Sequence, residues 1–531
     1  MSAGHNSQTQ TLLAADTNQA LGIGQFAVDF MSNSALRGNP DAAVLERTNL
    51  FHIDASICGV SALALGTNAP VILRDEALCY RAPARGFGTL AGLGTAKGRP
   101  GATVFGSDAD LVPEKAIVAN AAAVREWDSN GTNFGYNPQL GHTAGEFGHN
   151  DFYPVAIAAA QLAGKDGAFA LRAMMLLDEI RGRLAEVFSL KTYKIDHVLH
   201  GAIGSAATYG AMLGATPAQI ESAIGMVVAH YVPFRAIRAG KQLSDSKGSS
   251  AAISTEAAIM AMQRSTRGFI GPKDIFRNPE AVFCLFQKPA SKGRSPFDLM
   301  LSRTGSDFAV MGMHFKLGLY EHQSASALQA LLNLVAKNPS LLAGSDGSSI
   351  KSIKVVAYEP AYGIIGDPAK RDPHTRQSAD HSMVYIVATL LRKAIEHKTA
   401  DWARLMLTPY DYNEAAVFNK FTRRLMDKIS FEHGGPDYDS KYPEGIPTSL
   451  VITDDAGAQH DSGLVMFPTG HARNTTADLK SLLKHKFHLL GSLGVADPDA
   501  LVKRLSNLER KSIAEIASIN NFEILSRGKF E

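Results

Sequence analysis

Between about residues 155 and 265 the apolar positions recur at intervals of three and four, the period of one helix face. The stretch "AFALRAMMLLDEIRGRLAEVF" (168–188) carries that period, and "TPAQIESAIGMVVAHYV" (216–232) adds a start signal, with Thr216 as N-cap and Pro217 at the first helical position. Alanine and glycine are frequent, as in "GAIGSAATYGAMLGA" (201–215), so helix axes can approach closely and a compact bundle is predicted. After about residue 310 the period shortens. "IKSIKVVAYEP" (350–360) alternates Ile353, Val355 and Ala357 with Lys354 and Val356, and "TSLVITDDAGAQHDSGLVMFP" (448–468) reads as two strands around a polar turn. Helical spacing returns at 326–337, 381–395 and 477–494.

This order predicts a mainly α protein with an α/β (α+β) insert. Residues 1–20 are expected to be a flexible N-terminal tail, 21–308 a large helical domain and 309–473 a smaller α/β lid domain. Residues 474–531 are expected to be helices that return to the first domain.

Composition narrows the function. Lys and Arg total 53 against 51 for Asp and Glu, so the broad positive field that nucleic-acid binding needs is absent. Cys58, Cys79 and Cys284 are far apart and form no C-x-x-C, which argues against a disulfide framework, a zinc ribbon and an iron–sulfur cluster, and fits a reducing cytoplasm. The first eighteen residues have neither a basic nor an apolar signal region, and no apolar run reaches the roughly 20 residues of a membrane span. No membrane partner is expected.

Candidate chemistry concentrates in "EWDSNGTNFGYNPQLGHTAGEFGHNDFYP" (126–154), which gathers Glu126, Asp128, Thr132, His142, Glu146, His149 and Asp151 among glycines. Glycine lets the backbone bend, so carboxylates and imidazoles can converge on one small volume; the ordinary alternative is a polar loop that caps helices. His142 and His149 are seven apart, which does not suit the two-histidine helical metal motif, and no metal is expected. His197 and His200 share a helical face three residues apart, with one of them the functional candidate. "FRAIRAGKQLSDSKGSSAA" (234–252) holds Arg235, Arg238, Lys241 and Lys247, and Lys247 sits at a predicted helix start suited to presenting its charge to an anion. A solvated helix end explains the same cluster equally well. "GFGTLA" (86–91) matches G-x-G-x-x-A, but no hydrophobic strand precedes it, so no dinucleotide cofactor is expected.

Together these segments resemble the MmgE/PrpD family, most closely its 2-methylcitrate dehydratases, from about residue 25 onward. The family's acidic W-D-x-N-x-T stretch matches "WDSNGT" (127–132), and its G-H pair matches "FGHND" (147–151). "IDHVLHGAIGSAA" carries His197, "SDSKGSSAA" carries Lys247, "DHSMVY" carries Tyr385, and "FPTGHARN" carries His471 and Arg473. Lys316, in "MHFKLGLYEHQ", corresponds to the family's lid-domain lysine. Three positions depart from the pattern: Gly131 replaces a second aspartate, and Asn150 and Asp151 follow His149 where the family has Pro and Ser.

The resemblance implies a homodimeric, cofactor-free hydro-lyase that converts 2-methylcitrate to 2-methyl-aconitate in propionate catabolism. It implies acid–base roles for Asp128, His149 and His197, with Lys247 and Tyr385 also catalytic, and substrate contacts from Thr132, Arg235, Lys316, His471 and Arg473. The nearest rival is decarboxylation of cis-aconitate, which leaves a carbanion needing the same cations. A tricarboxylate-binding protein with a dead site and a metal-dependent hydrolase are the rivals from other classes.

Overall fold

The computed structural model describes residues 9–86, 98–238 and 242–530. Lys241 and the G-x-G-x-x-A stretch from position 87 onward lie outside the described residues.

The bundle forms where helical periodicity predicts it. Thr216 caps the Pro217–His230 helix through a reciprocal capping box with Gln219, so two otherwise unpaired N–H groups are satisfied. The Asp245–Thr266 helix packs along Pro113–Arg125 and Val198–Met212, and the latter also packs on Gly167–Val187. Small residues make these approaches possible: a Cβ at Gly201 would lie 1.9 Å from the Phe152 ring. That contact holds the segment after His149 against the helix that begins beside His197.

Within the expected flexible tail, the described residues form regular structure. Gln10–Leu13 pairs antiparallel with Leu299–Ser302, and the Asn18 side chain caps the Gln19–Met31 helix. Thr11 and Leu13 are buried along this strand. Four residues of alternating burial, paired with a strand far away in sequence, carry no helical period to detect.

The lid contains a mixed sheet in the order Gln459–Asp461, Thr448–Asp454, Ile350–Ala357, Ile429–His433. Ile350–Ala357 is antiparallel to Thr448–Asp454 and parallel to Ile429–His433, and Ile353, Val355 and Ala357 face the core as their alternation predicts. The strand after the polar turn is Gln459–Asp461 rather than the apolar "LVMFP", of which Val465 makes only a bridge to Thr448. The parallel pair requires a long crossover, supplied in part by the Met383–His397 helix.

Leu479–Gly494 then returns to pack against Ala42–Ala64. Its Lys486 is buried, donating to Asp54 (2.6 Å) and to the carbonyl of Ser129 (2.6 Å). A C-terminal helix thereby holds the acidic loop in place. Among the described residues no single helix is long and apolar enough to cross a membrane.

Candidate active site

The Pro113–Arg125 helix ends immediately before the acidic loop, and there Asp128 takes a left-handed conformation, φ +50°, that short polar side chains tolerate best. This turn buries the Asp128 carboxylate among cations. Arg125 and Lys316 both bind its Oδ1, Lys316 also donates to its carbonyl (2.9 Å), and His381 Nε2 lies 3.4 Å from Oδ2. Burial opposes the charge, but Arg125, Lys316, His381 and Lys247 together hold Asp128 well below the usual carboxylate range. It is an anchored anion at neutral pH.

Thr132–Phe134 and Phe147–His149 form a two-stranded ribbon in which Thr132 faces His149. The Thr132 hydroxyl donates to the Gly148 carbonyl (2.8 Å), so it braces the strand that carries His149. His149 Nε2 lies 3.3 Å from Arg125, and its ring meets that of His197 edge-on at 5.1 Å. His197 ends the loop before the Val198–Met212 helix, and its Nδ1 is 3.2 Å from the Asp196 carboxylate, although it is not aligned for a hydrogen bond. Burial and nearby cations hold both imidazoles well below their ordinary pKa, and therefore neutral.

His149, His197, Arg125, Thr132 and His381 line one narrow cleft of about 50 Å³. Arg235, Arg238, Glu321 and Lys370 complete its charged lining. Arg238 is fixed on Asp196. Arg235 and Lys370 make no side-chain hydrogen bond or ion pair among the described residues. Two unpaired cations thus face a hollow that also contains neutral imidazoles.

Lys247 stands just behind the cleft wall, donating to Asp380 (2.8 Å) and lying 3.2 Å from His381 Nδ1. Lys316 is likewise occupied, by Asp128. His471 and Arg473 line a neighbouring hollow on the other side of Phe134: His471 packs on His314 at 4.0 Å, while Arg473 donates to the Glu444 carbonyl (2.9 Å) and lies over the Tyr136 ring. Tyr385 is not at the cleft. Its hydroxyl is committed to the Asp411 carbonyl (2.6 Å), next to Tyr412. His142 pairs with Glu186, and Glu146 accepts backbone N–H groups of Phe147 and Lys191, so neither joins Asp128.

Sequence reasoning missed Arg125, Asp196, Glu321, Lys370, Asp380 and His381. Asp380 and His381 lie within the "DHSMVY" stretch that had suggested Tyr385.

Residues 29–293 match the MmgE/PrpD N-terminal domain, and residues 320–508 match the MmgE/PrpD C-terminal domain. The chain belongs to the MmgE/PrpD family. The 2-methylcitrate dehydratase of Escherichia coli (strain K12) is 24% identical over 406 residues, covering 73% of this chain and 78% of that protein. The 2-methylcitrate dehydratase of Cupriavidus necator is 24% identical over 485 residues, covering 86% and 90% respectively.

Within this MmgE/PrpD chain the departures from pattern are neighbours in space. A Cβ at Gly131 would lie 2.4 Å from the Phe51 ring and 3.4 Å from Asn150 Oδ1, and Asn150 itself donates to the Phe51 carbonyl (3.0 Å). Asp151 accepts from Asn130 (2.6 Å). These residues pack the back of the acidic loop, outside the cleft lining.

Asp128, Asp380 and His381 bring ligand-type atoms within 4.8 Å of one another. Their oxygens already serve Arg125, Lys316 and Lys247, so a divalent cation there would meet three buried cations. The donor set suits an internal charge network, not a metal. Asp128→Asn preserves shape and tolerates the left-handed turn but removes the ion pair of buried Lys316 and leaves Arg125 with Asp151 alone at 3.8 Å, so a stability loss of about 3–5 kcal/mol is expected in denaturant titration. An unchanged midpoint would show that the network does not depend on this charge.

Proposed function

We propose that this protein is a hydro-lyase that dehydrates a citrate-like tricarboxylate, converting 2-methylcitrate to 2-methyl-aconitate by acid–base chemistry. The observation that carries the reading is the pair of unpartnered cations, Arg235 and Lys370, facing the cleft that holds His149 and His197. Unpaired buried or half-buried cations are costly, and a polyanion that enters the cleft relieves that cost. The dehydratase relatives support the substrate class.

Dehydration removes a proton from the carbon next to one carboxylate and a hydroxide from the neighbouring carbon. Charge that develops on the first carbon and its carboxylate needs cations already in position. Arg235 and Lys370 supply them, with Arg125 and Arg238 fixed behind by their own carboxylates.

His197 is the base in this scheme. Its Nε2 is buried with no hydrogen-bond partner, and Asp196, itself held below its ordinary range chiefly by Arg238, stands beside Nδ1 to stabilise the imidazolium that forms. Three substrate charges raise the affinity of the ring for a proton, which offsets the depression seen in the empty cleft. Asp128 is too strongly held by cations to accept a proton near neutrality, and it fixes Arg125 and Lys316 instead.

Purified protein incubated with 2-methylcitrate, citrate and cis-aconitate tests the reading. The expected result is conjugated-product absorbance from 2-methylcitrate without carbon dioxide. Carbon dioxide from cis-aconitate as the sole product would make the protein a decarboxylase, and calorimetric binding of all three without turnover would make it a binding protein.

A further inference from the structure

Dehydration also needs an acid, because hydroxide is a poor leaving group unless it departs as water. The cleft has few groups able to serve. Its imidazoles are held neutral, Asp128 is pinned by Arg125 and Lys316, and Asp380 is pinned by Lys247 and His381. Glu321 is different. It lines the cleft, its Oε2 accepts the Gln323 N–H (2.8 Å), and its Oε1 has no hydrogen-bond or ion-pair partner among the described residues. Its backbone N–H donates to the Asp380 carbonyl (2.9 Å), so the segment carrying His381 fixes where this carboxyl points.

Resting on the hydro-lyase reading, we propose that Glu321 is the general acid, giving its proton to the departing hydroxyl while His197 takes the carbon-bound proton. The C–H and C–O bonds break and a C=C bond forms; the hydroxyl leaves as water carrying the Glu321 proton. Glu321 is left as carboxylate and His197 as imidazolium. Return of one proton from the imidazolium to the carboxylate, through solvent, restores both groups.

The surroundings fit a carboxyl that stays protonated. Burial and the facing Asp128 push Glu321 up to about 7, against the smaller opposing pull of Lys316 and Arg125. Arg235 and Lys370 also feel its charge from the cleft wall, as do Tyr358 and Tyr442 from the lid, while Asp380 and neutral His322 adjoin it. Entry of a tricarboxylate adds negative charge nearby and keeps the proton on Glu321 more firmly. Neither cation at the wall forms an ion pair with this carboxyl, so both stay available to the substrate.

A leaving group that needs no proton separates the two roles. Wild type, Glu321→Gln, Glu321→Asp and His197→Gln are each given the hydroxy substrate and an analogue with fluoride in place of the leaving hydroxyl, with fluoride release read by electrode. Glu321→Gln is expected to lower kcat for dehydration about 10²- to 10⁴-fold. It should leave fluoride elimination within a few-fold of wild type, as a rough bound for a step that needs no general acid. Glu321→Asp, which keeps an acid, should retain measurable dehydration even if its melting temperature falls. The alkaline limb of the wild-type kcat profile, where the acid loses its proton, should vanish in Glu321→Gln. His197→Gln should lose both eliminations. Equal losses for both substrates in Glu321→Gln, or none, would overturn the assignment while wild-type turnover still upheld the hydro-lyase reading. Wild type inert toward every hydroxy-tricarboxylate would remove that reading and this one together.

Discussion

Moving the protein from pH 7 to pH 5 is expected to destabilise it by several kcal/mol and lower its melting temperature steeply. Eight buried histidines, His52, His149, His197, His200, His314, His322, His381 and His471, are held below their ordinary pKa by burial as the largest cause. His52, His200 and His381 fall to about 4 and His471 to about 3, whereas in the unfolded chain each titrates near 6.5. Below that value the unfolded chain takes up protons that the folded protein refuses, so acid favours unfolding. A single such histidine costs about 2 kcal/mol by pH 5. Seven carboxyl groups raised by burial, Asp54, Glu114, Glu146, Asp151, Asp178, Glu179 and Glu321, act in the opposite sense, since the folded form takes up their protons first. Because their folded values are the raised ones, their relief begins as the pH falls through those values and offsets part of the loss from the histidines. Calorimetric scans at half-unit steps between pH 7.5 and 4.5 check this, using ~0.5 unit as a spacing fine enough for a one-proton transition. A melting temperature constant to pH 5 would mean that the buried rings find compensating charge.

His197→Gln is expected to reduce kcat about 10²- to 10⁴-fold, the usual worth of a general base. KM should change little, because Arg235 and Lys370, which bind the carboxylates in the proposed complex, are untouched. Stability should hold or rise slightly, since His197 makes no hydrogen bond that the variant loses. His200→Gln is the informative companion. Its Nε2 sits 3.0 Å from the Phe188 carbonyl one helical turn from His197, so that variant should lose stability and keep kcat. If the two variants behaved alike, His197 would be a packing residue and the base would have to be His149.

The bundle helices were legible in the chain because a 3.6-residue period and capping chemistry are local. Thr216, Pro217 and Gln219 announce their helix within four residues, and Ile353, Val355 and Ala357 announce their strand. The N-terminal strand was not, since the partner of Gln10–Leu13 is Leu299–Ser302 and nothing near residue 10 records that pairing. Tyr385 illustrates a second limit. It stands in the same motif as Asp380 and His381, but the turn before the Met383–His397 helix sends its side chain to Asp411 while His381 enters the cleft.

By itself the sequence determined the mainly helical class, the α/β insert, the family, and the residue types from which an acid–base site is built. Only the tertiary structure decided which cations are spent and which have no ion pair among the described residues. Lys247 and Lys316 are neutralised by Asp380 and Asp128, whereas Arg235 and Lys370 are left facing the cleft. It also set Glu321 apart from every other acid of the site. The physical reason is that the pKa and availability of a charged group depend on burial and on neighbours within a few ångströms. In this chain those neighbours come from segments hundreds of residues away, as Lys316 does for Asp128 and Lys486 does for Asp54.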